Sequence, residues 1–159
     1  MKTVQWRKLI FSIFLCQSAG VIGSFFTVSE IPTWYQMLVK PSFYPPRWVF
    51  GPVWITLYTF MGISLYRVLM KGSDTQKVRK ALYWFGAQLV LNSVWPIIFF
   101  GRHDLGAALV AIILLWGLIY LTIRKYYALD RIAAYLLLPY LAWVFFAMYL
   151  NYSLWLLNR

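Results

Sequence analysis

The protein has 159 residues, of which 62% are apolar and only 12% are charged. About a quarter of the residues of a soluble domain are charged, so this composition excludes an ordinary soluble domain. The net charge of +11 is high. However, the cations lie at the ends of long uncharged stretches and form no basic stripe, which excludes nucleic acid as a partner.

Five uncharged stretches are long enough to cross a bilayer. They contain 21, 19, 21, 19 and 27 residues, and a hydrocarbon core of ~30 Å requires about 20 helical residues. Each stretch is continuously apolar, whereas the strands of a membrane barrel alternate. The sequence therefore predicts an all-α membrane protein, a bundle of five transmembrane helices in one domain over residues 1–159. The predicted helices are 9–28, 47–69, 78–100, 105–126 and 130–157, with a loop at 29–46.

The cations are divided unequally between the two sides of this bundle. Cytoplasmic loops are enriched in Lys and Arg, so we expect the N-terminus inside and the C-terminus outside. A signal peptide is not expected, because the first apolar stretch is too long and no clean cleavage site follows it. The inner cations are Lys2, Arg7, Lys8, Arg67, Lys71, Lys77, Arg79, Lys80, Arg124, Lys125 and Arg131, and the outer cations are Lys40, Arg47, Arg102 and Arg159.

The first predicted span carries small and weakly polar side chains. Gly20, Gly23 and Ser24 are examples, and such residues let helices approach closely in lipid. Cys16 is the single cysteine of the chain, which excludes an internal disulfide and any site with several cysteine ligands.

The connection at 29–46 is rich in proline and aromatic residues. Pro41, Pro45 and Pro46 each restrict φ and remove a backbone donor, which makes the segment stiff. A short helix is expected within 31–38, with Thr33 as its cap. The aromatic residues are typical of a membrane interface, but a rigid lid over an opening between helices fits them equally well. The residues alone leave both readings open.

Three of the later spans combine aromatic and polar residues on one face. The amides among them are costly in hydrocarbon without partners, so they should face the bundle interior. They either hold neighbouring helices together or, with the tryptophans, form the wall of a ligand pocket. The residues are Pro52, Trp54 and Tyr58 in the second span, Gln88, Asn92, Trp95 and Phe99 in the third, and Pro139, Trp143, Ala147 and Asn151 in the fifth.

The sequence lacks the residues of conventional catalysis. The single histidine, His103, lies in a short loop and is expected to be solvated. All four acids, Glu30, Asp74, Asp104 and Asp130, lie at the ends of spans, and Asp130 is expected to cap the fifth helix. No catalytic triad, metal-ligand spacing or phosphate loop is present, so no metal is expected. There is no internal repeat, which gives a transporter little support.

Three segments together resemble the TspO/translocator protein family, also called tryptophan-rich sensory proteins or peripheral-type benzodiazepine receptors. The shared features are the proline pattern and the motifs "GPVW", "FFG" and "PYLAW". With the five spans, the resemblance covers nearly the whole chain. The segments are "WYQMLVKPSFYPPRWVFGPVWITLY" (34–58), "LNSVWPIIFFGRHDLGAALV" (91–110) and "LLPYLAWVFFAMYLNYSLW" (137–155).

The resemblance implies a five-helix bundle, commonly a homodimer. Its membrane would be a bacterial or archaeal cell membrane, or the mitochondrial outer membrane in a eukaryote. The implied ligands are porphyrin or haem, cholesterol in some members, and synthetic isoquinoline or benzodiazepine-type compounds, with no required cofactor. The resemblance also implies a pocket under the loop at 29–46, which favours the lid reading. Its lining would be Trp34, Tyr35, Pro45, Trp54, Tyr58, Asn92, Trp95, Trp143, Ala147 and Asn151.

The chain departs from the family pattern at two places. A sterol-recognition pattern near the C-terminus fails, because six residues separate Tyr152 from Arg159; such patterns are weak in any case. A pair of small residues used for dimer contacts in some relatives is replaced by Tyr83 and Ala87, which puts that interface in doubt.

Two functions follow from the resemblance. The first is a receptor-like protein that senses, carries or buffers a flat tetrapyrrole or a related ligand. The second is an enzyme that degrades porphyrin with light and oxygen, for which Trp54 and Trp143 would be the reactive residues.

Overall fold

The computed structural model describes residues 4–72 and 75–159. Lys2 and Asp74, which entered the assignment of sides and of span ends, lie outside the described residues. Within those residues five helical segments are long and apolar enough to cross a membrane, which confirms the five-helix membrane fold. They are Trp6–Thr27, Arg47–Leu69, Gln76–Gly101, Leu105–Tyr127 and Arg131–Leu157.

Among the described residues, six helices and two short turns build these segments, and a seventh helix lies in the first connection. The first span is α1 (Trp6–Thr27), and a one-turn helix, α2 (Trp34–Met37), lies in the connection after it. The second span is α3 (Phe50–Leu69), which follows a 3₁₀ turn at Arg47–Val49. The third is α4 (Gln76–Pro96), which continues as a π-helical turn, Ile97–Gly101. The fourth is α5 (Leu105–Tyr127), and the fifth is divided into α6 (Arg131–Leu136) and α7 (Leu138–Leu157).

Side-chain caps begin three of these helices. Asp130 accepts a hydrogen bond from the backbone N–H of Ala133, which confirms its predicted role as a cap. Asp104 caps α5 through Ala107 in the same way, and Thr75 caps α4. Thr33 precedes α2 but makes no cap bond; its hydroxyl donates to the Ser29 carbonyl instead.

The helices form a ring around a common interior. α1 packs against α3 and α4, α4 packs against α5, and α5 packs against both parts of the fifth span. The contacts of α3 with the fifth span are concentrated on α6. Since α6 is the first, short part of that span, α3 and α7 are free to separate towards the other end of the bundle.

Close packing fills the end of the bundle that contains α6. A Cβ added at Gly62 would meet the backbone of Ile13, so glycine is required where α1 crosses α3. The hydroxyl of Ser64 donates to the Ala133 carbonyl and joins α3 to α6. The small residue that lets α1 and α3 approach closely at this end is therefore Gly62 on α3.

Candidate ligand cavity

A cavity of about 480 Å³ lies at the other end of the bundle. Its walls come from α1, α3, the end of α4 with the π turn, α5 and α7. The connection at 29–46, called the lid segment below, contributes Ile31, Tyr35 and Tyr44 to the lining. The cavity thus occupies the space that opens where α3 and α7 separate.

Eight of the ten residues implied as pocket lining border this cavity. The two that do not are Trp34 and Pro45. The eight are Tyr35, Trp54, Tyr58, Asn92, Trp95, Trp143, Ala147 and Asn151.

Trp34 instead packs against the loop between α4 and α5. Its indole stacks on the His103 ring, with centroids 4.2 Å apart and planes 11° apart. His103 also bonds to Glu30, with 2.9 Å between Nε2 and Oε2. The His103 side chain is 42% exposed, so it is only partly solvated and joins the lid segment to the bundle. The backbone of His103 is in the left-handed region, with a φ of +55°.

Buried polar side chains form a network behind the cavity wall. The Tyr58 hydroxyl donates to Asn92 Oδ1, and Asn92 Nδ2 donates to the Tyr140 hydroxyl at 2.8 Å. The Tyr140 hydroxyl donates to Gln88 Oε1 at 3.0 Å. The predicted amides therefore do join neighbouring helices, and Asn92 also borders the cavity. Gln88 does not, although it shares a helix face with Asn92.

A second polar contact joins the α4, α5 and α7 walls. Asn151 Nδ2 donates to the Leu105 carbonyl at 2.9 Å. The Trp95 indole N–H points to the Ala108 carbonyl and to Asn151 Oδ1, at 3.1 and 3.3 Å. Because its single indole N–H is already used, Trp95 borders the cavity without offering it a donor. Asn151 has two amide N–H groups, and the bond to Leu105 uses one of them.

Trp143 differs from Trp95 in this respect. Its indole nitrogen is buried and has no hydrogen-bond partner among the described residues, although the side chain borders the cavity. A buried donor without a partner is costly. A ligand acceptor at this point would remove that cost.

Of the two cations near the cavity, Lys40 has hydrogen-bond partners within the protein and Arg47 has no acid as a salt-bridge partner among the described residues. Lys40 Nζ donates to the carbonyls of Tyr35, Gln36 and Leu38 at 2.8–3.2 Å, which uses all three of its N–H groups. Burial, together with the nearby Arg47 guanidinium, lowers the pKa of the Lys40 ammonium. Arg47 borders the cavity and is exposed, and no described acid forms a salt bridge with it.

The lid segment is also attached to the end of α7. The side-chain amide of Asn158 accepts from the Val39 N–H at 2.9 Å and donates to the Val39 carbonyl at 3.0 Å. The Phe43 ring stacks on Tyr149 with centroids 5.0 Å apart. The lid segment is therefore attached both to α7 and, through His103, to the loop between α4 and α5.

Sequence reasoning did not assign α1 to the cavity. One face of this helix borders it, from Gln17 to Val28. Gly20 is in contact with the Tyr58 ring, where a Cβ would clash. The sequence analysis assigns Gly20 and Ser24 to helix packing alone, although with Gln17 and Thr27 they have the spacing of a single helix face.

The cavity offers no conventional catalytic group. No Asp, Glu, His or Cys borders it among the residues that the structure describes. The same residues contain no group of three such side chains that would hold a metal ion. The arrangement therefore suits binding of an apolar ligand, with few polar groups to orient it.

Comparisons with known proteins agree with the motifs. The model of the "TspO/MBR family" matches residues 12–156. The chain is 43% identical to "Tryptophan-rich protein TspO" of Chlorobaculum tepidum, covering 97% of this chain and 98% of that one. It is 45% identical to the human "Translocator protein", covering 84% and 80%. It is 32% identical to the "Tryptophan-rich sensory protein" of Cereibacter sphaeroides, covering 98% and 94%. The chain belongs to the TspO/MBR family.

Proposed function

We propose that this family member is a membrane receptor-like protein that binds porphyrin or haem in the cavity and acts in tetrapyrrole sensing, transport or regulation. One observation carries the proposal: a cavity of about 480 Å³ walled by Trp54, Trp95 and Trp143 beneath the lid segment. Relatives named translocator protein and sensory protein support the receptor-like role. Sterols and isoquinoline or benzodiazepine-type compounds are further candidates for the same apolar space.

The size and the walls of the cavity suit a flat apolar ligand. Sites for ligands of drug size occupy roughly 300–1,000 Å³, and aromatic faces favour stacking with a planar ring. Trp54 is already stacked on Tyr58, with centroids 5.4 Å apart. Phe50 meets Trp143 edge to face at 5.9 Å, so aromatic rings line both the α3 and α7 sides.

The polar groups that remain unpaired suggest how such a ligand is oriented. The Trp143 N–H is free to donate to a ligand acceptor. Arg47 is free to bind a carboxylate such as a porphyrin propionate, whereas Lys40 is occupied by three carbonyls. We therefore assign carboxylate binding to Arg47, and not to Lys40.

Titration with protoporphyrin in the dark tests binding. Trp143→Phe should weaken affinity about tenfold, the equivalent of one hydrogen bond. Trp116→Phe is the matched control, because its indole nitrogen is also buried and unpaired but the side chain does not border the cavity. Equal affinity of both variants and the unchanged protein would show that the cavity is not the porphyrin site.

The role of Arg47 is tested with two forms of the ligand. Arg47→Gln should weaken binding of protoporphyrin about tenfold, since a charged hydrogen bond is lost, and should leave its dimethyl ester unaffected. Arg102→Gln, an exposed cation away from the cavity, should change neither. A loss of affinity for both forms would assign Arg47 a structural role instead.

A second candidate function is light- and oxygen-dependent degradation of porphyrin. The aromatic contacts of Trp54 favour it: the indole lies against Tyr58 and, at 6.3 Å, against Tyr140, so an oxidised indole has electron-rich neighbours. Dioxygen would be the oxidant and the porphyrin the group oxidised, with the oxygen atoms retained in the product. Illumination with and without oxygen should give a product that depends on the protein and is lost in the Trp54→Phe, Trp143→Phe double variant. The same yield from that variant would exclude this function.

A further inference from the structure

We propose that the cavity opens sideways into the bilayer between α1 and α3, and that apolar ligands reach it from the lipid through this opening. The opening, called the portal below, is bordered by Val21 and Ser24 on α1, by Val28 directly after α1, and by Gly51 and Ile55 on α3. The inference rests on the proposed function only for the nature of the ligand that passes. The route itself can be tested without any porphyrin.

The portal residues border the cavity and are exposed as well. All five border the cavity, and all five are exposed residues. Val21 is 54% exposed, Val28 68% and Ile55 60%. Exposed apolar side chains of a membrane-spanning helix lie against lipid unless another part of the protein covers them. We therefore place the opening of the cavity to lipid between these residues.

Hydrogen bonds between α1 and α3 mark the edge of the portal that is nearer to the α6 end of the bundle. Gln17 Nε2 donates to the Ile55 carbonyl at 3.0 Å and to Thr59 Oγ1 at 3.1 Å. On the far side of this contact, α1 and α3 are in close contact at Ile13 and Gly62. The Gln17 bonds therefore hold the two helices together just where the close packing gives way to the opening.

Gly51 keeps one side of the portal wide. A Cβ added at Gly51 would meet no atom within 4 Å, so packing does not require glycine there. At Gly20 and Gly62, in contrast, a Cβ would clash with a neighbour. The space beside Gly51 belongs to the opening, and a large side chain at this position would narrow it while the fold is preserved.

The lid side of the cavity is closed by comparison. Asn158 binds the backbone of Val39 at both its N–H and its carbonyl, and the His103 ring stacks on Trp34. A ligand arriving from water through the lid segment would have to break these contacts. A ligand arriving from lipid through the portal breaks none of them.

The portal also indicates which ligands are admitted. Arg47 lies next to the portal on the side of the lid segment, is exposed, and borders the cavity. The side chains of Val21, Val28 and Ile55, which border the portal, are apolar. A molecule with an apolar body and an acidic end would keep the acid beside Arg47 at the membrane surface while the body moves sideways from lipid into the cavity. Flat carboxylate-bearing ligands dissolved in the bilayer have this chemistry.

The experiment measures access to the cavity by cysteine labelling in liposomes. Leu150 borders the cavity and is only 5% exposed, so Leu150→Cys in a Cys16→Ala background places a thiol inside it. A maleimide with a hexadecyl chain, which stays in the bilayer, should label this thiol faster than a sulfonated maleimide confined to water. Ala147→Cys is the second reporter if the first variant has a lowered melting temperature.

Matched variants then identify the route. Gly51→Phe should slow labelling by the bilayer-bound reagent about tenfold, because the ring would narrow the portal; association rates among variants of one site vary over about one to three decades. Gly117→Phe is the control, because its Cβ also meets open space but the residue does not border the cavity. Asn158→Ala, which frees the lid segment, should not change the rate.

Three results would overturn the proposal. They are faster labelling from water than from lipid, an unchanged rate in Gly51→Phe, and a marked increase in Asn158→Ala, which would indicate access through the lid segment. None of these depends on porphyrin. A protein that fails to bind protoporphyrin but shows the expected labelling would therefore refute the proposed function and keep the portal.

Discussion

The two ends of the bundle differ in whether a charged side chain next to the interior has a partner of opposite charge. At the end that contains α6, the carboxylate of Asp130 pairs with Arg67 at 3.0 Å and with Lys71 at 3.2 Å. At the cavity end, Arg47 borders an apolar space with no described acid as its partner, and the Trp143 N–H is unpaired. Paired charges stabilise the fold, whereas unpaired donors at a cavity are available to a ligand. We therefore expect substitutions at the α6 end to affect mainly stability, and substitutions at the cavity end to affect mainly ligand binding.

The largest effect is expected at Asp130. Asp130→Ala removes the partner of two cations and the cap of α6, and we expect a loss of about 2–3 kcal/mol of unfolding free energy; partial exposure of Arg67 and Lys71 reduces the value from that of a fully buried pair. Thermal unfolding in detergent measures it. Asp104→Ala is the control, because that exposed side chain caps α5 and forms no salt bridge with a cation that the structure describes, and it should cost about 1 kcal/mol. Equal losses would mean that the ion pairs contribute nothing.

The contribution of Asp130 to the free energy of unfolding should also depend on pH. Burial alone would raise the pKa of this carboxyl, but hydrogen bonds from Arg67, the Ala133 N–H and Lys71 outweigh it and hold the pKa below its ordinary value. A depressed pKa stabilises the folded state above the unfolded pKa of about 3.9, and this contribution is lost as pH falls through the folded pKa. The difference in melting temperature between the unchanged protein and Asp130→Ala should therefore be constant above about pH 5 and shrink below pH 4.

The next effect is expected in the network between the two ends. Tyr140→Phe would leave Asn92 Nδ2 and Gln88 Oε1 without the hydroxyl that joins them, at a cost of about 1–2 kcal/mol. Trp143→Phe should cost less, because its indole N–H has no partner to lose. Tyr83→Phe, at a 71% exposed position, is the control for loss of a hydroxyl. A smaller loss for Tyr140→Phe than for Trp143→Phe would contradict this order.

A smaller effect is expected where the lid segment meets α7. Asn158→Ala removes two hydrogen bonds to Val39 and one to the Leu154 carbonyl and should cost about 1 kcal/mol, since the side chain is half-buried. Hydrogen exchange at the Val39 amide should become faster while exchange in α3 is unchanged. Ser153→Ala removes only a bond within α7 and should leave Val39 unaffected. Unchanged exchange at Val39 in Asn158→Ala would show that other contacts hold the lid segment.

The smallest effect is expected at Glu30. Its side chain is 27% exposed and that of its partner His103 is 42% exposed. Such exposed pairs contribute about 0–1 kcal/mol to the free energy of unfolding. Glu30→Gln should lower the melting temperature little, because the stacking of Trp34 on His103 persists. His103→Ala, which removes both contacts, should cost more, and an equal cost would show that the stacking contributes nothing.

The sequence by itself determined the number of spans and the faces of α4. Uncharged stretches of about 20 residues leave no other arrangement in lipid, and a helical repeat places Asn92 and Trp95 on one side regardless of what packs there. The Asp130 cap was readable because capping depends on neighbouring residues only. The boundary between spans and loops followed from the same local rules.

Only the tertiary structure decided which apolar faces meet lipid and which meet the cavity. Lipid is as apolar as the protein interior, so hydrophobicity does not distinguish the two along α1, and the face from Gln17 to Val28 was missed. Trp34 was placed with the pocket, yet it stacks on His103, because the partner lies about 70 residues away and no local pattern indicates it. The separation of α3 from α7, the cavity, and the proposed portal between α1 and α3 all depend on how five helices pack together, which no single segment specifies.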